Sequence, residues 1–140
     1  MAHWLFKSEP EKWSWEMQKA AGKKGQQWDG VRNYQARNNM RAMQIGDRGF
    51  FYHSNEGKEV VGIVEVCALA HQDATTDDAR WECVDLRAVK DMPKPVTLED
   101  IKANERLAGM VLVNNSRLSV QPVADAEWAE VCRMGGLKGE

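Results

Sequence analysis

The sequence predicts a small α+β domain: a curved, mostly antiparallel sheet closing toward a barrel, with short helices packed around it. Three observations predict it. Segments rich in β-branched and aromatic residues alternate along the chain with short segments of helical period. The strongest strand signal, Glu59 to Leu69, holds Gly62 inside it, where a bulge or sharp bend suits a strand of a small barrel. Finally, 140 residues suffice for one compact core and are too few for two ordinary domains, so residues 1–140 are read as one domain.

Taken in order, His3 to Lys7 reads as a strand buried on both faces, ended by Ser8-Glu9-Pro10. Ser14 is the N-cap of a helix running to Ala20 or Ala21 and ending near Gly22. Lys23-Lys24-Gly25 is a basic link. After the turn signal Asp29-Gly30 comes a second helix, Tyr34–Ala42, closed by Ile45-Gly46-Asp47. Arg48 to His53 is a strand joined to Glu59–Leu69 by a hairpin turn at Ser54-Asn55-Glu56-Gly57. The polar segment from Gln72 to Ala79 reads as a surface loop, and Trp81 to Val89 alternates as a strand. Pro93-Lys94-Pro95 reads as a break. Thr97 opens a capping box with Asp100, and Leu98, Ile101 and Leu107 face the core. Met110 to Val113 is a short apolar segment. Arg117 to Gln121 reads as a last strand stopped by Pro122, and Asp125 as the cap of a final helix through Met134. That helix turns Trp128, Val131 and Cys132 inward and ends at Gly135-Gly136.

Composition narrows the function. Hydrophobic content of 43% with 29% charged residues describes a globular chain, not a disordered one. A formal net charge of −2 disfavours tight, non-specific binding of duplex DNA but permits a local basic patch. Cys67, Cys83 and Cys132 are odd in number and lack C-x-x-C spacing, so neither a disulfide framework nor a zinc site is expected. With no export signal and no long apolar run, the expected place is the cytoplasm, away from the membrane.

The most informative stretch is Trp28 to Arg41. Its helical part sets Ala36, Met40 and Met43 on one arc and Asn33, Arg37 and Arg41 on the next. Flat aromatics, amides and arginines are the groups that recognise a base and its phosphates. Catalytic signatures are missing. There is no G-x-x-x-x-G-K-S/T, no G-x-G-x-x-G after a strand, no H-E-x-x-H and no G-x-S-x-G. His3, His53 and His71 have no metal-ligand spacing, and a Ser8, His53 and Asp29 triad has only chance to recommend it. The expectation is a binding protein with no catalytic residues, no metal and no cofactor.

Several blocks together carry a resemblance: Trp4-Leu5-Phe6-Lys7-Ser8-Glu9-Pro10, W-D-G-V-R-N-Y-Q-A-R-N-N from Trp28 to Asn39, Phe51-Tyr52-His53-Ser54, Val61 to Val66, and Ser116 to Pro122. From His3 to about Val131 the chain resembles the EVE domain, a relative of YTH and PUA-like domains, in its stand-alone bacterial form. The resemblance implies a PUA-like pseudobarrel with a pocket for a modified base in DNA or RNA, such as methylated or hydroxymethylated cytosine. It implies Trp28 as the stacking aromatic, with Tyr52 or His53 opposite. Phe51 and His53 point one way along their strand and Phe50 and Tyr52 the other, so not all can line one pocket. Ser8, Asp29 and Asn33 would meet the base edge; Lys7, Arg32, Arg37 and Arg117 would hold the phosphate backbone. Gln26-Gln27 lie in a variable part and receive no role. Trp4, Phe6 and Phe50 are read as core, and Gly30 and Gly62 as backbone geometry. An RNA-binding module acting on tRNA or rRNA, a small enzyme on a base or nucleotide, and a small-molecule binder are the alternatives.

Overall fold

The alternation of side chains in two neighbouring strands sets the architecture. In β1 (His3–Ser8), Trp4 and Phe6 join one apolar cluster and Leu5 another. In β3 (Arg48–His53), Phe51 joins the first and Phe50 and Tyr52 the second. These strands run parallel, with Leu5 opposite Phe50 and Phe6 opposite Phe51, so like faces coincide and the sheet carries a core on each side. The chain is described by a computed structural model covering residues 2–138.

The other strands are β2 (Gln26–Gln27), β4 (Glu59–Gln72), β5 (Glu82–Thr97) and β6 (Val120–Val123). The sheet order is β2-β5-β4-β3-β1-β6, antiparallel except between β1 and β3. Helices α1 (Trp15–Ala20) and α2 (Tyr34–Ala42) contribute Trp15, Ala36 and Met40 to the first core. The second core is covered by α3 (Leu98–Lys102), a 3₁₀ turn at Glu105–Leu107, α4 (Val111–Asn114) and α5 (Asp125–Met134). This is the mostly antiparallel pseudobarrel, ringed by short helices, that the PUA-like resemblance implies.

Trp4, Phe6 and Phe50 are core residues, as expected. At Gly62, a Cβ would run into the indole of Trp15, so the missing side chain is what lets α1 dock on β4. The register of β4 against β5 also shifts beside it.

Several boundaries differ from expectation, beginning with β4, which runs past Leu69 to Gln72. β5 passes through Pro93 and Pro95 to Thr97 instead of breaking. The pairing jumps from Gly62 opposite Asp91 to Val60 opposite Val96, so both prolines lie in a bulge that asks for no ladder N–H. Lys94, between them, donates its N–H to the Gly135 carbonyl at 3.0 Å. β6 starts at Val120 and includes Pro122, which an edge strand tolerates because no further strand of the described residues pairs with it. At α5 the cap position is Ala124, and Asp125 is the first helical residue, 3.1 Å from His3 Nδ1.

Candidate functional site

Where β1 ends, a hollow opens beside the first core. The tail of β1 and the turn into α1 supply Lys7, Ser8, Glu9, Lys12 and Trp13 to one side of it. The opposite side is β2 and the chain that follows it, from Gln26 to Arg32, with Ser119 closing the rim. The volume is about 470 Å³.

Trp28 is 7% exposed and sits edge-on to Phe6 and Phe51, at centroid distances of 5.4 and 5.6 Å. Its N–H donates to the Val84 carbonyl at 2.8 Å, extending the short pairing of β2 with β5. Trp28 is therefore both a core anchor and part of the hollow's lining. Trp13 is half-buried and fixed from two directions. Its indole N–H donates to Gln18 Oε1 at 2.8 Å, and its carbonyl accepts the Ser8 hydroxyl at 2.5 Å. Gln18 is fully buried and donates onward to the Leu86 carbonyl at 2.9 Å. One tryptophan thus comes from each side of the hollow, both held by the sheet.

The polar edge is built around Asp29 and Asp73. Asp29 accepts from Gln27 Nε2 at 3.1 Å, and burial followed by the nearby Asp73 charge raises its pKa. Asp73 lies outside the hollow and ties its rim. It accepts from the Gly30 N–H at 2.9 Å and from Arg32 at 3.1 Å. Burial alone would raise Asp73, but hydrogen bonds from Thr75, Gly30 and Arg32 outweigh it and bring its pKa down to about 2. Gly30 itself has φ +79°, the left-handed turn that the Asp29-Gly30 pair signals. Lys7 reaches the Ser116 carbonyl at 2.6 Å, and burial lowers its pKa.

The structure therefore brings Lys7, Ser8, Trp28, Asp29 and Arg32 together at one hollow. Five other expectations fall elsewhere. Tyr52 is 3% exposed and belongs to the second core, because strand alternation turns it to the far face from Trp28. His53 is on the correct face but does not line the hollow; its Nε2 accepts the Trp15 N–H at 3.1 Å, and burial lowers its pKa. Asn33 is the N-cap of α2, its side-chain oxygen accepting the Ala36 N–H at 2.9 Å. Arg37 lies along α2, donating to the Arg80 carbonyl and the Asn38 side chain, and Arg117 is exposed in the turn before β6, outside the lining.

Trp13, Lys12, Gln26 and Gln27 line the hollow but drew no sequence assignment. For Trp13 a signal existed. It precedes the N-cap Ser14, and Gln18 is at the fourth helical position, the spacing at which a residue before a helix meets the first turn. Here the meeting is an indole–amide hydrogen bond instead of an apolar staple.

In sequence, the EVE domain matches residues 2–134. Protein Atu2648 from Agrobacterium tumefaciens has a similar structure, with a TM-score of 0.99 at 67% identity, over 100% of this chain and 97% of that one. The human THYN1 protein, solved in complex with 5-methylcytosine-containing DNA, gives a TM-score of 0.91 at 34% identity, over 100% of this chain and 99% of that one. Thymocyte nuclear protein 1 of Homo sapiens is 36% identical over 159 aligned positions, spanning 91% of this chain and 71% of that protein. Among the described residues no helix is long and apolar enough to cross a membrane.

Proposed function

This chain belongs to the EVE domain family, and from that premise we propose that it binds DNA by taking a modified base into the hollow between Trp13 and Trp28. The base is a methylated or hydroxymethylated cytosine, and binding involves no chemical turnover. One observation carries this reading: a tryptophan on each side of a hollow of about 470 Å³, with the carboxyls of Asp29 and Glu9 and two amides in its lining. Aromatic faces hold any base, and fixed polar groups choose its edge. Asp29 offers a carboxyl acceptor and, when protonated, a donor beside it. That pair matches the exocyclic amine and ring N3 of cytosine. Burial and the neighbouring Asp73 charge raise the pKa of Asp29. Lys7 and Arg32 on the rim supply positive charge for flanking phosphates. The complex of human THYN1 with 5-methylcytosine-containing DNA supports the same choice of base and of DNA.

The arrangement of the polar groups supports binding without catalysis. The Ser8 hydroxyl is spent on the Trp13 carbonyl and His53 Nε2 on the Trp15 N–H, so neither acts as nucleophile or base toward the other.

The test is a binding panel of short DNA and RNA oligonucleotides carrying cytosine, methylcytosine, hydroxymethylcytosine or methyladenine, with each oligonucleotide recovered and checked for change. Modified-cytosine DNA should bind tightest and return intact. Asp29→Ala should erode the preference, whereas Asp29→Asn, which presents an acceptor and a donor at any pH, should keep it. Equal binding across the panel, or a product that vanishes with Asp29→Ala, overturns the proposal.

A further inference from the structure

Arg32 faces two ways. It lines the hollow, and its guanidinium carbon also sits 5.5 Å from the ring centroid of Trp81, outside it. Trp81 in turn stacks on Tyr34, with centroids 5.0 Å apart and planes at 24°. Arg37 stands over the Tyr34 ring at 4.9 Å and 5.9 Å from that of Trp81. The Tyr34 hydroxyl accepts from Arg80 at 3.1 Å. A ridge of alternating rings and guanidiniums therefore leads from the hollow along the start of α2.

Two features of this ridge are not explained by packing. Tyr34 is 51% exposed, although its ring is stacked and its hydroxyl bonded, so the residue is held rigidly toward solvent. The charges are also unequally spent. Arg32 is paired with Asp73 and Arg80 with Asp78, but Arg37 donates to neutral oxygens, the Arg80 carbonyl at 2.8 Å and the Asn38 side chain at 2.7 Å. Among the described residues no carboxylate pairs with Arg37. A fixed exposed ring beside an uncompensated guanidinium fits a stacked base and its phosphate.

We infer that Tyr34, with Trp81 behind it and Arg37 beside it, is the docking surface for the DNA strand flanking the base in the hollow. The inference rests on the pocket reading for where the strand emerges, since Arg32 joins the two surfaces. The ridge holds the strand regardless of modification; the hollow chooses the base.

The experiment compares the full chain and its variants on twelve-nucleotide DNA with one methylcytosine, the same DNA with cytosine, and the matching RNA. Tyr34→Ala should weaken both DNAs alike, by about 5- to 100-fold as for loss of one stacked base, leaving their ratio unchanged. Tyr34→Phe, which keeps the ring, should restore binding. Arg37→Ala should also weaken both and lower the slope of log affinity against log salt by about one. Melting temperatures of the three variants should stay near that of the unmodified protein. DNA affinity unchanged by Tyr34→Ala overturns the inference, as does a loss confined to methylcytosine DNA, which would put Tyr34 in the pocket. Dependence on Tyr34 for RNA alone overturns the choice of DNA. If the native chain binds both DNAs equally but still needs Tyr34, the pocket reading fails and the ridge stands.

Discussion

The two sides of the sheet use the same kinds of side chain and end differently. On the second side, Trp128 lies flat on Phe50 at 4.0 Å and on His3 at 4.2 Å, and α3, α4 and α5 close over it. On the first, Trp28 packs edge-on to Phe6 and Phe51 and also lines the hollow. The difference teaches that an aromatic becomes a candidate binding surface where its cover is incomplete, not through its own identity. The polar groups follow the same division. Asp29, Gln26 and Gln27 sit where water and ligand can reach, whereas on the second side the buried Glu130 is held by Asn104 and Arg133.

Tryptophan replacements should separate the two sides, starting with the largest effect. Trp128→Ala should cost about 3–5 kcal/mol of stability, as for other large core truncations, and leave oligonucleotide affinity of the folded protein unchanged. Denaturant unfolding beside a binding titration reads both. Trp28→Ala should lose about 3 kcal/mol of stability and affinity as well, because its ring serves both core and hollow. If its affinity is untouched, the hollow does not use Trp28 and the contrast collapses.

Asp73→Asn probes the tie that shapes the rim, and should cost about 1–3 kcal/mol through the part-buried hydrogen bonds it weakens. Its pH dependence has a definite sign. A folded pKa of about 2 against the ordinary 3.8 means the stabilisation is intact above 3.8 and is lost as pH falls toward 2. The melting-temperature gap between native and Asp73→Asn protein should therefore close across that interval. A gap of constant size would show that the charge of Asp73 is not what holds the rim. Trp13→Ala should have the smallest effect on stability, about 1 kcal/mol for the Gln18 oxygen left without its donor. Its oligonucleotide affinity should nevertheless fall by about 1–3 kcal/mol. Unchanged affinity would leave the hollow with one wall.

Much of this comparison is legible in the sequence. The helical period puts Ala36 and Met40 in the core, and strand alternation separates Phe51 from Tyr52 before any coordinates are known. Alternation alone cannot say which face stays open, however. That depends on the parallel pairing of β1 with β3 and on the far-separated segments that cover each side. Trp13 becomes a wall because Gln18 and Ser8 fix it beside β2, which belongs to a contact between distant parts of the chain. β5 was hidden for a similar reason. Its prolines read as a break until the bulge against β4 removes the need for their N–H groups. Asn33 shows the reverse problem, a side chain chemically fit for a base edge but consumed locally as a helix cap.

The shortness of β2 carries a kinetic consequence. Only Gln26 and Gln27 pair with β5, with Trp28 adding one more backbone bond, whereas β3, and β4 from Glu59 to Glu65, are bonded on both sides. A segment so lightly attached opens at a free energy below that of the whole fold. Amide hydrogens at Gln26 to Trp28 should exchange well before those of Ile63 or Val64. If the hollow takes a base as proposed, the same brief detachments at Gln26 and Gln27 would widen its mouth.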